Sequence, residues 1–382
     1  MKTKTRPIGI DLFCGAGGMS LGFEQAGFDV VAAVDVEEIH IETYCRNFPR
    51  SKALCTDLSS ASGDQLRKET AVGDKHIDVV FAGPPCQGFS VIGKRLRDDP
   101  RNLLLFDFAR LVAELSPSYF AVENVAGILL GQAKDVLEEF LRRVGKAGYC
   151  VVEPIKVLDA AEFGVPQRRR RVFLLGYRKG LAAPKYPAPL HAYDEDGKVD
   201  GPKVWDAIGD LPKIENYRYL LTADEYTGEL GVPSAYAGIL RGEARDPDDK
   251  SLARSRNGDG LSGCLRTAHT AKTIKRFENT RQGSYEEVSR FYRLSKNGLA
   301  PTLRAGTGRA QGSFMAPRPI HPFQDRCITV REAARLHSFP DWFCFHRTKW
   351  HSFRQIGNAV PPMLARAVAQ AILGAMDRDG SR

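Results

Sequence analysis

The chain has 382 residues, 43% of them hydrophobic, with 55 Lys and Arg against 46 Asp and Glu, a net charge of +9 and a pI near 9.1. That length is ample for two domains with an ordinary soluble core, and the basic balance suits a polyanionic partner without establishing one. The eight cysteines form no CxxC pair and no Cys/His cluster at ligand spacing, which argues against zinc and a disulfide framework; no apolar run reaches membrane-spanning length, and the first residues lead directly into a strand, so the expectation is a cytoplasmic protein with reduced thiols, no metal and no membrane partner.

Residues 7–13 read as a first strand, followed by Cys14-Gly15-Ala16-Gly17-Gly18 and a helix over 19–26. Glycines between a strand and a helix let the backbone approach a ligand, and the helix start offers free N–H groups. The spacing is not the GxGxxG dinucleotide pattern, which disfavours a nicotinamide-dependent oxidoreductase. A second strand over 29–35 ends in Asp35, placed 20 residues after Gly15, where a carboxylate takes ribose hydroxyls or, equally simply, caps the next helix. A third strand ends near Asp57, an acid with the same two readings.

Residues 77–82 form a short apolar strand that delivers Gly83-Pro84-Pro85-Cys86-Gln87-Gly88-Phe89-Ser90. Two prolines stiffen the approach to one thiol, and Gly88 frees the backbone after it, a local grammar that a buried structural cysteine does not need. Residues 91–101 are basic and glycine-containing, either a lid over an anionic substrate or a solvated loop. A helix over 103–115 precedes a strand at 118–122 that ends in Glu123-Asn124-Val125, an acid and an amide at the same sheet edge as Cys86. After a helix at 134–147 and a strand beginning near 151, Gln167-Arg168-Arg169-Arg170-Arg171 leads into an apolar strand, so Arg169 and Arg171 should point to one side.

From about residue 179 prolines and acidic patches replace the alternation of strands and helices, which implies a domain boundary. Residues 251–309 interleave arginines and lysines with Phe277, Tyr285, Phe291 and Tyr292, a pattern that suits a nucleic-acid surface. Regular structure returns with Thr329 and Glu332 in a capping-box pattern. The chain then reaches Gly357-Asn358-Ala359-Val360-Pro361, read as a helix start that closes a ligand pocket, and an apolar-periodic helix over 363–376.

Six separated segments, in order, resemble the cytosine-C5 DNA methyltransferase family of the bacterial modification type: Asp11-Leu12-Phe13-Cys14-Gly15-Ala16-Gly17-Gly18, Gly83-Pro84-Pro85-Cys86-Gln87, Glu123-Asn124-Val125, Gln167-Arg168-Arg169-Arg170-Arg171, Arg331-Glu332-Ala333-Ala334-Arg335-Leu336 and Gly357-Asn358-Ala359-Val360-Pro361. The coverage is roughly 7–178 and 326–376. The resemblance implies an α/β fold, a Rossmann-like, mostly parallel sheet flanked by helices that binds S-adenosylmethionine, with a smaller inserted target-recognition domain. The catalytic domain is expected over 1–178, recognition over 179–325 and a returning segment over 326–382.

It further implies Cys86 as the nucleophile toward cytosine C6, Glu123 at N3, Arg169 at O2 and Arg171 ordering Cys86 and Glu123. Gln87, Ser90, Asn124 and Gln167 are implied around the substrate. For the cofactor it implies Phe13 against the adenine, Gly15 and Gly17 along the methionine portion, Asp35 on the ribose and Asp57 at the adenine N6, with Leu104, Asn358 and Ala359 completing the pocket. Val36 departs from members that carry an aromatic there. The implied partners are double-stranded DNA and a cognate restriction endonuclease, with the chain a monomer. A tRNA cytosine methyltransferase and a non-catalytic DNA-binding protein are the competing readings, the first disfavoured by the long middle segment.

Overall fold

Near-continuous runs of Val, Ile and Ala bounded by glycine or acid are what a strand buried on both faces requires, and five such runs form a parallel array. In the computed structural model, which describes residues 6–70, 72–85, 103–131, 133–254, 260–306 and 318–380, these are β1 (Ile8–Leu12), β2 (Asp29–Asp35), β3 (Lys52–Cys55), β4 (Val79–Ala82) and β5 (Tyr119–Val125). Between them lie α1 (Gly18–Ala26), α2 (Glu38–Asn47), α3 (Gly63–Glu69) and α4 (Leu103–Leu115). Then come α5 (Ala133–Lys146), β6 (Tyr149–Val151), β7 (Lys156–Asp159) and β8 (Arg170–Arg178).

The strand order is β3-β2-β1-β4-β5-β8-β6, with β7 also pairing β8. Pairs from β3 through β5 are parallel, and β8 runs antiparallel to β5. The single strand expected from about 151 is instead two, β6 and β7, laid end to end along the outer edge of β8. The order reverses between β1 and β4, so the carboxyl ends of these two strands flank the crevice where open α/β sheets bind ligands.

Each sheet face has its own cover. Leu12, Val34, Val80 and Val122 point to a core closed by Phe108 of α4 and Phe140 of α5. Val79, Phe81 and Leu175 point the other way, onto Phe23 of α1 and Val368 of a late helix, α11 below. Phe23 stacks on Phe81 with ring centroids 3.8 Å apart.

After β8 the described residues add no further sheet strand. Short helices α6 (Val204–Ile208), α7 (Ala235–Arg241) and α8 (Ala271–Glu278) precede α9 (Val330–Leu336), α10 (Lys349–Asn358) and α11 (Pro362–Arg378). Gly357-Asn358 therefore ends α10 rather than opening a helix. Residues Lys349–Arg378 together are long and apolar enough to cross a membrane by length and composition alone. They are two helices broken at Ala359, and α11 spends its apolar face on α1. A Cβ on Gly22 would lie 2.4 Å from Ala365 Cβ and 2.5 Å from Pro362 O, so only glycine permits that helix contact.

The capping box of α9 forms as the pattern predicts, Thr329 Oγ1 accepting from Glu332 N and Glu332 returning to Thr329 N. Its charged residues are buried in ion pairs that tie it to the middle of the chain. Arg335 meets Asp341 at 2.6 Å and Asp210 at 3.0 Å, while Arg326 meets Glu332 at 2.7 Å and Glu215 at 2.5 Å. Burial alone would raise the Glu332 carboxyl, but the Arg326 charge and hydrogen bonds outweigh it and hold it at about 2. Since that lies below its ordinary 4.5, the stability it contributes is complete above that pH and is lost as pH falls toward 2. Thermal midpoints measured from pH 7 to 3 are expected to fall below about pH 4.5, and Glu332→Gln should lower the neutral value while flattening the acid slope.

Candidate active site

The crevice begins with a turn whose backbone is held in an unusual conformation. Phe13 has φ of 63°, in the left-handed region that bulky side chains avoid, and Gly15 follows with φ of 53°. Strain of roughly 1–2 kcal/mol at Phe13 persists because the surroundings over-determine it, and here it turns the ring into the crevice. Gly17, at φ of 98°, precedes α1; a Cβ there would stand 2.3 Å from the Phe48 ring.

Asp35 at the end of β2 ties this turn down. Its Oδ2 accepts from Gly15 N at 2.9 Å, and its Oδ1 accepts from Glu37 N at 2.9 Å and lies 3.1 Å from His40 Nδ1. Burial opposes the charge, but the His40 hydrogen bond and the two amides overcome it and hold the carboxyl below its ordinary range. Both readings of this acid are thus realised together: it caps the approach to α2 and it faces a cavity. A carboxylate offers about four lone-pair directions, so one remains for a ligand.

That cavity has a volume of about 270 Å³, close to the lower end of small-molecule sites. Phe13, Gly15, Asp35, Val36 and Asp57 line one end. Asp57 lies two residues beyond β3, exposed, with Oδ1 accepting from Ser59 N at 2.9 Å. Leu104 of α4 and Asn358 and Ala359 at the close of α10 supply opposing walls. The other end is Gly83, Pro84, Pro85, Glu123, Arg169 and Arg171, so both ends belong to one space.

Glu123 and Arg171 form the charged pair at that second end. Arg171 Nε lies 2.7 Å from Glu123 Oε1, with both side chains mostly buried. Antiparallel pairing produces this contact: Val125 stands opposite Arg171 and Glu123 opposite Phe173. A Cβ on Gly83 would sit 3.7 Å from Glu123 Oε2, so the glycine leaves that oxygen open toward the cavity.

The comparisons with known proteins agree with this geometry. Residues 8–374 match the model of a family described as C-5 cytosine-specific DNA methylase. The chain belongs to the C-5 cytosine-specific DNA methylases. It is 50% identical over 372 residues to the type II methyltransferase M.XorII of Xanthomonas oryzae pv. oryzae, covering 97% of this chain and 86% of that protein. It is 34% identical to the type II methyltransferase M1.HphI of Haemophilus parahaemolyticus, covering 95% and 86%. A prophage-encoded E. coli protein, whose crystal structure is described as that of a candidate DNA modification methyltransferase, superposes with a TM-score of 0.75 at 33% identity, over 97% of this chain and 99% of that one.

Within this methylase the expected site residues divide. Phe13, Gly15, Asp35, Asp57, Leu104, Glu123, Arg169, Arg171, Asn358 and Ala359 all meet in the one cavity. Cys86, Gln87 and Ser90, and the 91–101 segment read as a lid, lie outside the described residues; Pro85, immediately before Cys86, lines the cavity.

Four expectations are corrected. Gly17 does not line the cavity; Gly18 does, and Gly17 is demanded by its positive φ and by Phe48. Asn124 follows Glu123 in a strand, so it points to the opposite face, is 1% exposed and accepts from Val125 N at 2.8 Å. Gln167 is fully buried, its amide donating to Leu336 O and bonding His337 Nδ1 while Oε1 accepts from Leu303 N, so it contacts no substrate space. Arg169, expected at the cytosine O2, donates to Leu303 O, Gly357 O and Ala359 O at 2.9 to 3.1 Å; its guanidinium clamps the cavity wall onto the end of α10.

Three participants carry no sequence signal. His40 lines the cavity, is 6% exposed and bonds Asp35 from five residues away. Glu37 and Arg354 pair at 2.9 Å across the cavity rim from α10. Asp11 at the end of β1 is 1% exposed, and burial raises its carboxyl to about 8 against the lowering effect of the Ser20 hydroxyl, so a proton resides there at neutral pH.

Proposed function

We propose that this methylase is the modification enzyme of a type II restriction system, transferring a methyl group from S-adenosylmethionine to C5 of a cytosine flipped out of duplex DNA. The observation that carries the reading is the single cavity, which joins an end fit for an adenosine, with a strained aromatic and two acids, to an end that carries the Glu123–Arg171 pair. The names of the Xanthomonas and Haemophilus relatives support the restriction context. A cognate endonuclease, a monomeric state, a cytoplasmic setting and a recognition portion over residues 179–325 belong to the same reading.

The residues present fit the cofactor. Asp35 retains an open lone pair for a ribose hydroxyl, Asp57 offers an oxygen to an adenine amino group, and Gly15 exposes backbone along the chain between them. When bound, S-adenosylmethionine supplies an electrophilic methyl group at C5. Cys86, carried one residue beyond Pro85, adds as thiolate to C6, forming the C6–S bond as the C5–C6 double bond opens toward the ring carbonyl and N3. Glu123 meets the charge that develops at N3, and Arg171 holds Glu123 in place. Once C5 carries the methyl group, loss of its proton restores the double bond and expels the thiolate. The base must leave the helix stack for any of this to occur.

Bisulfite sequencing of DNA from cells expressing the chain tests the function directly: methylated cytosines in one fixed sequence context are expected, and unmodified DNA would reject it. His40→Ala should weaken binding of S-adenosylhomocysteine by about 1 kcal/mol, roughly fivefold, because Asp35 loses one of its three donors. Calorimetric titration checks this, with His40→Asn, which keeps a donor, expected to recover most of the affinity.

A further inference from the structure

Outside the cavity, one concentration of positive charge has no acid to answer it. Lys349 opens α10, and its Nζ donates to Arg266 O at 3.0 Å and Thr267 Oγ1 at 3.1 Å, which leaves one N–H direction open. Arg318 lies over the Phe353 ring of the same helix, 4.3 Å from its centroid, and its Nε is buried without a hydrogen-bond partner. His269 stands beside both, its Nε2 accepting from Cys327 N at 3.2 Å.

Neither Lys349 nor Arg318 has an ion pair among the described residues. Asp224, the facing acid, already accepts from Gly263 N and Leu265 N, and Arg326 nearby is committed to Glu332 and Glu215. The undescribed neighbours bring no relief: residues 301–320 contain Arg304, Arg309 and Arg318 and not one Asp or Glu. The ammonium of Lys349 is held below its ordinary range by burial first and by Arg318 next, and burial lowers the Arg318 guanidinium too. Half-buried like charges without an acid carry an electrostatic cost that a bound anion removes.

The position gives that anion a purpose. Helix α10 carries Lys349 and Phe353 in its first half, while Arg354, Gln355, Gly357 and Asn358 in its second half line the cavity. About 13 Å of rigid helix separates the two ends.

We propose that Lys349 and Arg318 together seat one backbone phosphate of the duplex at the start of α10, so that the helix forming a wall of the methyl-transfer cavity takes its register from the DNA. The inference rests on the reading of the chain as a duplex-DNA methylase. Phosphate contacts position without reading sequence, and each one neutralised contributes roughly 0.9 to the slope of log affinity against log salt.

The test is duplex binding by fluorescence anisotropy between 50 and 200 mM salt. Lys349→Met and Arg318→Met should each lower the slope by roughly 0.9, the double variant by no more than either single one, and Lys349→Arg should retain the wild-type slope. S-adenosylhomocysteine binding should be unchanged throughout, which establishes folding. Slopes equal to wild type, or a double variant that loses twice as much, would overturn the shared seat. A second measurement needs no variant: duplex DNA should protect Lys349 of the wild-type chain from acetylation, and equal labelling with and without DNA rejects the proposal. Failure of the wild-type chain to bind duplex DNA would instead count against the function itself.

Discussion

Cys86→Ser is expected to abolish methyl transfer, a fall of roughly 10⁴-fold or more, the scale on which enzymes lose rate when a covalent nucleophile is removed. The serine hydroxyl is nearly isosteric but is not ionised at neutral pH and adds poorly to a C5–C6 double bond. No other thiol near the site can take over. Cys14 also lines the cavity, yet burial first, and then the charges of Asp35 and Asp11, push its thiol well above the ordinary range. Cys264 and Cys327 are pushed up to about 12 by burial and lie in the packing of the middle and late segments. Intact-mass measurement with duplex DNA carrying 5-fluorocytosine in the methylated context checks the assignment: wild type should trap a covalent adduct that peptide mapping places on Cys86, and the variant should trap none. An adduct on Cys14, or turnover in Cys86→Ser within tenfold of wild type, would reject the nucleophile.

The parts of the site legible in the sequence are those that strand ends and turns determine locally. A strand, a glycine turn and a helix put Phe13 and Gly15 at a sheet edge wherever they occur, and the alternation of side chains along β8 put Arg169 and Arg171 on one side. The same alternation was available for Glu123 and Asn124, and it rules out a shared direction for them. Other features depend on partners far along the chain. Gln167 and Arg169 bond backbone groups at 303, 336, 357 and 359, so nothing near them in sequence marks them as clamps. Helix α10 ends in Gly357-Asn358, which reads locally as a turn before the next helix; it is held by contacts such as Gln355 Nε2 to Thr43 Oγ1. The middle segment shows no period because α6, α7 and α8 are short and anchored by long-range pairs such as Arg335–Asp210.

Glu123→Gln is expected to lower the rate constant for methyl transfer by roughly 10²–10⁴-fold while S-adenosylhomocysteine binding stays at the wild-type level, because the amide can neither deliver a proton to N3 nor match the charge that develops there. Arg171→Ala should cost nearly as much by a different route. It leaves Glu123, 8% exposed, without the guanidinium 2.7 Å from its Oε1, so the carboxyl loses its orientation toward the cavity. Arg171→Lys should recover only part of the loss, since an ammonium lacks the fixed planar donor set that aims Nε at one oxygen. If Arg171 acts through Glu123, the double variant Glu123→Gln, Arg171→Ala should be little slower than the slower single one, and single-turnover rates with pre-bound DNA measure this coupling. Fully additive losses would mean that Arg171 works on the base independently, and near-normal turnover in Glu123→Gln would remove the carboxyl from the mechanism altogether.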